Sequence, residues 1–304
     1  MAITAQDVKN LREMTGCGMM DCKKALAASE GDMDKAIEWL REKGLAASAK
    51  KAGRIAAEGM AYACVVDGIG VAVEVNAETD FVGKNEKFVD FVKGVANTVA
   101  KCNPADLDAL MECKYDGTDL TVLQQQQEMV LVIGENIKVR RFARFEGGFS
   151  VPYIHAGGKI GVLVNLEVTG GIDATEIGKD MAMQIAALNP RFWDKSQVTQ
   201  DVLDEEKKIM LAQMANDPKM ASKPDQVKEK IVLGKLNKFY SENCLLQQAF
   251  VKDGDMTVEQ YMNSAAKTLG GTVKFLDAVR FEKGEGIEKK QENFAEEIAK
   301  QLGK

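Results

Sequence analysis

The chain has 304 residues, of which 45% are hydrophobic and 28% charged, with a formal net charge of −6. That length suits two or three domains around a sizeable core, and the acidic balance argues against broad binding to nucleic acid or to acidic membranes, which calls for a basic footprint. Six cysteines without a CxxC pair, no signal peptide and no apolar run of spanning length point to reduced thiols in a cytoplasmic protein.

Residues 1–54 read as three short helices. Thr4 caps the first, with Asp7 three residues on and Val8, Leu11 and Met14 expected on one buried face. A loop, Thr15-Gly16-Cys17-Gly18, leads to a second helix from Met19 to Leu26. Asp32 caps a third, which is expected to bury Ile37 and Leu40 and to stop at Gly44. Leu45–Arg54, small and basic, reads as a helical linker. Met19 and Met20 suit either a small core or a protein-binding surface, since an unbranched thioether repacks easily.

From Glu58 the period becomes two. Met60–Val66 and Ile69–Val75 form a hairpin around Asp67-Gly68, a pair that readily supplies the positive φ angles of a tight turn. The connection that follows, Asn76–Lys84 (NAETDFVGK), places a large ring, Phe81, beside a carboxylate, Asp80, in a segment that ordinarily faces water. Two readings stand: Phe81 folds back on its own helix as a staple, or it anchors in a partner's pocket with Asp80 as its polar companion. A helix then carries Phe88, Phe91, Val92, Val95 and Val99 on one stripe. Further helices are expected over Pro104–Cys113 and Leu120–Ile133, with Gln124–Gln127 as a solvated face, and a strand over Ile137–Phe145.

The chain then repeats itself. Residues 134–146 (GENIKVRRFARFE) align without gaps to residues 270–282 (GGTVKFLDAVRFE), and Ile69-Gly70-Val71 finds an echo in Ile160-Gly161-Val162. Each unit reads as hairpin, helices, closing strand, which suggests two related α+β subdomains. The second copy has Tyr153–Lys159 as its turn and ends its strand in Thr169-Gly170-Gly171. It contains His155, the single histidine, which is either a structural hydrogen-bonding group or a contact residue. Two amphipathic helices, Val198–Asn216 and Asp225–Glu242, separated by a proline-bounded break, are expected to form an antiparallel hairpin. A helix over Thr257–Leu269 precedes the closing strand, and an amphipathic tail over Ile287–Leu302 needs a docking surface on its own core or on a partner.

No catalytic constellation emerges. There is no Walker loop, no GxGxxG after a strand, no zinc-ligand spacing, and His155 has no supporting motif. The expectation is a non-enzyme without cofactor or metal.

Three strings carry a resemblance. Glu78-Thr79-Asp80-Phe81-Val82 looks like the TDFV signature of the elongation factor Ts family. LREMTGCGMMDCKKAL (residues 11–26) and YIHAGGKIGVLV (residues 153–164) are similar to two further segments of that family. The resemblance implies an α+β protein: a ubiquitin-associated-like bundle and linker (1–54), a duplicated core (55–148 and 149–283), a coiled-coil hairpin inserted at 196–243, and a terminal helical module (284–304). It implies a guanine-nucleotide exchange factor for the GTPase elongation factor Tu in translation, working through protein contact rather than nucleic acid or membrane. In that family the Asp-Phe pair enters the GTPase domain near its magnesium site and loosens the ion and the phosphates. Thr79, Asp80, Phe81 and Val82 would form the wedge, Met19, Met20 and Lys23 would grip the same domain, and His155 would reach the far one. The resemblance leaves open a dimer of heterodimers. The rival from the residues alone is a passive scaffold that uses the bundle and the hairpin.

Overall fold

The computed structural model describes residues 3–15, 17–217, 220 and 223–288. Three helices open it: α1 (Ala5–Thr15), α2 (Met19–Ala28) and α3 (Met33–Lys51). Thr4 and Asp7 cap α1 reciprocally, the Asp7 N–H donating to Thr4 Oγ1 at 3.2 Å and the Thr4 N–H to Asp7 Oδ2 at 2.9 Å. The Lys35 N–H donates to Asp32 Oδ1 at the start of α3. Val8, Leu11, Cys22, Ala25, Leu26, Ala36 and Leu40 close around one another, while Ile37 is only half-buried. Met14 does not join them and is 64% exposed. Six residues beyond Val8 it has turned about 120° off the buried stripe, and Thr15 lies nearer to it.

The third helix does not stop at Gly44. An Ala-rich continuation favours helix, and Gly44 is buried where α3 crosses α6 (Val122–Ile133): a Cβ there would sit 3.3 Å from the Gln127 carbonyl oxygen. The glycine is a contact point between helices rather than a terminator.

The rest is α+β. β1 (Glu58–Val66) and β2 (Ile69–Ala77) pair through Asp67 and Gly68, whose φ angles are 50° and 82°, and β3 (Lys138–Phe145) pairs with β2. β4 (Phe149–His155), β5 (Ile160–Thr169) and β8 (Thr272–Glu282) form a second antiparallel sheet of the same connectivity. Behind the first sheet lies α4 (Glu86–Cys102), with α5 (Leu107–Glu112) and α6 alongside; behind the second lies α7 (Thr175–Leu188). The helix expected over 104–113 begins only at Leu107, where Asp106 caps it, and a Thr121–Gln124 capping box starts α6. A small hairpin, β6 (Ala249–Phe250) with β7 (Asp253–Thr257), has no counterpart in the sequence reading.

Both sheets are covered on both faces. Val71, Val73 and Val75 meet α4, whereas Ala61, Ala63 and Ala72 meet Leu163 and Phe281 of the second sheet. The order is therefore helix, sheet, sheet, helix, which explains why β2 and β5 are near-continuously apolar rather than alternating. The repeat extends to an irregularity: Arg140 is skipped in the β2–β3 register and Leu276 in the β5–β8 register. These residues hold the same place in the two repeated strings, so each copy carries the same bulge.

Between the sheets lies one fully buried carboxylate, Glu74. It accepts from Arg140 Nη1 (2.9 Å), Arg141 Nε (2.5 Å), Asn76 Nδ2 (3.0 Å) and the Gly284 N–H (2.8 Å). Burial pushes its pKa up, but the Gly284 N–H, the Asn76 amide and the two guanidiniums outweigh burial and hold it below the usual carboxylate value.

α8 (Gln200–Ala215) and α9 (Asp225–Asn243) pack antiparallel, since Val198 meets Phe239 at one end and Met214 meets Val232 at the other. α10 (Val258–Thr268) follows, started by a Thr257–Gln260 capping box. The amphipathic tail expected over 287–302 lies, from residue 289 on, outside the described residues. No described helix is long and apolar enough to cross a membrane.

Candidate partner-binding surface

The chain leaves β2 at Ala77 and enters α4 at Glu86, and the segment between is tied down at both ends. On the strand side the Glu135 carboxylate takes three donors: the N–H groups of Glu78 (3.1 Å) and Thr79 (2.9 Å) on Oε2, and the Thr79 hydroxyl (2.7 Å) on Oε1. The Asn136 N–H donates to Glu78 Oε1 at 2.6 Å, and the Asn136 amide donates to the Arg54 carbonyl at 2.8 Å. On the helix side Val82 is buried in the first core, a single 3-10 turn runs over Val82–Lys84, and Asn85 caps α4 by accepting from the Lys87 and Phe88 N–H groups. Gly83 permits the turn to lie against β1, for a Cβ there would stand 2.8 Å from the Gly59 carbonyl oxygen.

Between these ties sit Asp80 and Phe81, both exposed, with the Phe81 ring 82% accessible. The ring does not staple back on its helix; Val82 takes the inward place instead. A rigid loop that holds a large apolar ring in water has the form of a docking anchor, because the ordering entropy of the loop is already lost before any partner arrives.

The other expected contact residues lie on separate elements. Met19 (59% exposed) and Met20 (62% exposed) stand on the first turn of α2 beside exposed Lys23. With Ile3, Val8, Lys9 and Arg12 they line a groove between α1 and α2, apolar in its floor and basic at its rim. Thus neither methionine is a core residue. His155 ends β4; the strand runs through Tyr153 and Ile154, and the turn proper is Ala156–Lys159. Tyr153 and His155 share a strand face, their side chains 3.1 Å apart from Oη to Nδ1, and the imidazole is exposed. The α1–α2 groove is connected to the Phe81 loop by packing: α3 lies on α6, Arg41 pairs with Glu128, and α6 runs directly into Glu135. His155 belongs to the second sheet.

A model of the family described as Elongation factor TS matches residues 78–285. Proteins named Elongation factor Ts are similar over nearly the whole chain. That of Clostridium perfringens (strain SM101) is 50% identical over 308 residues, 99% of this chain and 100% of the relative. That of Clostridium kluyveri (strain ATCC 8527) is 49% identical over 306 residues, 99% of each. That of Magnetococcus marinus is 46% identical over 303 residues, again 99% of each. The chain belongs to the elongation factor Ts family.

Membership makes this chain a translation elongation factor, at work in protein biosynthesis. The elongation factor Ts signature at Thr79–Val82 was legible as a string, but the residues that hold it were not. In the sequence, nothing sets Glu135 and Asn136 apart inside the repeated unit. Glu135-Asn136 align with Gly271-Thr272, two of the eight positions at which the paired strings differ, so the string alone does not single them out. Lys51 and Arg54, at the end of the expected linker, also border the loop. Burial and the neighbouring Arg54 charge push the Lys51 pKa down, with Glu78 and Glu135 opposing them.

Proposed function

We propose that this chain is the guanine-nucleotide exchange factor of elongation factor Tu: a cytoplasmic protein that binds the GDP form and promotes release of the nucleotide without making or breaking a covalent bond. The observation that carries this reading is the Phe81 ring, 82% exposed on a loop pinned at both ends. Asp80 and Phe81 act as the wedge that disturbs the magnesium and phosphate site, with Thr79 and Val82 fixing the loop from which they project. The groove at Met19, Met20 and Lys23 grips the same GTPase domain, and His155 contacts a more distant one.

Energetically, an exchange factor must bind the nucleotide-free GTPase more tightly than the nucleotide-bound form, and linkage makes this reciprocal. An aromatic anchor contributes about 2 kcal/mol or more, and about 1.4 kcal/mol changes an equilibrium tenfold. A single ring that fits only the emptied site can therefore shift GDP affinity by more than tenfold. Stopped-flow release of a fluorescent GDP analogue from elongation factor Tu tests the reading. Acceleration by the wild type that is largely lost in Phe81→Ala supports it, and no acceleration by the wild type sinks it.

A further inference from the structure

The second copy of the repeat shows the same connection built from different residues, with Gly271 where the first copy has Glu135. Aligned on their strands, Glu78, Thr79 and Phe81 take the places of Thr169, Gly170 and Ile172, and Glu135 and Asn136 those of Gly271 and Thr272. The contacts correspond as well. Where Asn136 ties to Glu78, the Thr169 and Thr272 hydroxyls meet at 2.6 Å. Where Glu135 holds Thr79, two glycines touch: a Cβ on Gly170 would stand 2.8 Å from the Gly271 Cα.

The apolar residue at the tip then takes opposite directions. Ile172 is half-buried against the second core, in space that a side chain at residue 271 would need, since a Cβ there would lie 2.9 Å from Ile172 Cγ2. In the first copy that side chain exists, as Glu135, and Phe81 faces water. Glu135 thus does two things at once. Its half-buried side chain stands where Gly271 has none, and its carboxylate ties the loop, Oε2 accepting the Glu78 and Thr79 N–H groups and Oε1 the Thr79 hydroxyl, so that Val82, rather than Phe81, turns into the core.

We propose that Glu135 is the positioning residue that keeps Phe81 turned outward, and that its replacement by Gly271 is what makes the second copy silent. The proposal rests on the exchange reading only for its consequence, not for its geometry. Without Glu135, Phe81 spends its time folded against its own core. The encounter with elongation factor Tu, carried by the other contacts, persists, but the wedge is delivered rarely.

The test uses the full chain labelled with 4-fluorophenylalanine, the Phe81 fluorine resonance being assigned by its disappearance in Phe81→Leu. The fluorine shift between H2O and D2O reads exposure of the ring in the free chain. It is expected to be large in the wild type, much smaller in Glu135→Ala, and restored in Glu135→Gln, whose amide oxygen still accepts the two backbone N–H groups. In parallel, GDP release from elongation factor Tu is followed against chain concentration. Glu135→Ala should lower the plateau rate at least tenfold with the half-saturating concentration changed less than twofold, and Glu135→Gln should recover most of the plateau. An isotope shift in Glu135→Ala equal to the wild type, or Glu135→Gln as impaired as Glu135→Ala, overturns the proposal. If wild type fails to accelerate release, the exchange reading falls and the fluorine measurement alone decides the role of Glu135. Should Glu135→Ala lose its circular dichroism, Thr79→Val replaces it. That variant keeps volume, removes one donor to the carboxylate, and must reduce the isotope shift for the proposal to stand.

Discussion

At Phe81 the proposed role and the stability of the fold can be separated. Its ring is exposed, so its removal leaves the folded state almost unchanged; surface substitutions of this kind stay within about 0.5 kcal/mol. Phe81→Ala is expected to melt with the wild type, while losing roughly 30-fold in stimulated GDP release, the equivalent of an anchor of about 2 kcal/mol. A lowered melting temperature would instead show the ring packed on its own chain. Glu74 is the opposite case, a buried charge with four donors and no surface. Glu74→Gln takes the buried counter-charge from Arg140 and leaves Arg141 with Glu285 alone, and is expected to cost about 3 kcal/mol at pH 7 in urea unfolding. Because the folded carboxyl titrates below its usual 4.5, its contribution is complete above that value and is lost as pH falls through the lower folded one. The gap between wild type and variant should therefore narrow on moving from pH 7 to pH 3; a gap that widens in acid would refute the sign.

At the scale of elements, α6 carries more than its sequence suggests. The glutamine run Gln124–Gln127 reads as a wet helix face, yet Gln126 is buried and its Oε1 accepts the Val139 N–H at 2.9 Å, joining α6 to the closing strand of the first sheet. Gln126→Leu keeps the bulk but orphans a buried backbone donor, which costs about 1–3 kcal/mol. Thermal or urea unfolding should show that loss, and an unchanged midpoint would mean that Val139 finds another acceptor. The neighbouring Gln127 meets Gly44 through its carbonyl, so the same helix also seats α3 and with it the α1–α2 groove. One face of α6 receives the first three helices, another supports β3, and its end delivers Glu135 to the Phe81 loop.

For the whole molecule the decisive feature is the seam between the two sheets. Small residues, Ala61, Ala63, Ala72 and Gly161, let the backbones approach there beside Leu163 and Phe281, with the Ala61 N–H donating to the Gly158 carbonyl at 2.8 Å. A Cβ on Gly161 would stand 3.0 Å from the Ala61 carbonyl carbon, a backbone atom that cannot yield by rotating. Gly161→Val is expected to destabilise by about 2–3 kcal/mol, since overpacking here must part the sheets. Both sheets lose stability together if the seam is one cooperative unit, which coincident unfolding by near- and far-ultraviolet circular dichroism would show. Two separate transitions would mean that each copy stands alone. Holding the sheets in register also fixes His155, on the second sheet, relative to Phe81, beside the first.

Local chemistry by itself determines much of this protein. Thr4, Asp32 and Thr257 cap helices because their side chains accept from backbone N–H groups a few residues away. Asp67-Gly68 turns the chain because it tolerates positive φ, and the stripe from Phe88 to Val99 buries itself because it recurs at helical spacing. The paired strings at 134–146 and 270–282 foretold two related α+β units, whereas the matching bulges at Arg140 and Leu276 appear only in the strand registers. What the string could not contain was contact between distant residues. Gly44 reads as a stop until α6 is laid across it, Gln126 as solvated until β3 is beside it, and Phe81 as equally fit for core or surface until Glu135 reaches Thr79 from 56 residues away. Caps, turns and stripes are short-range free energies and are written locally. The outward face of Phe81 depends on which side chain fills the space beneath it, and only the folded chain brings that side chain there.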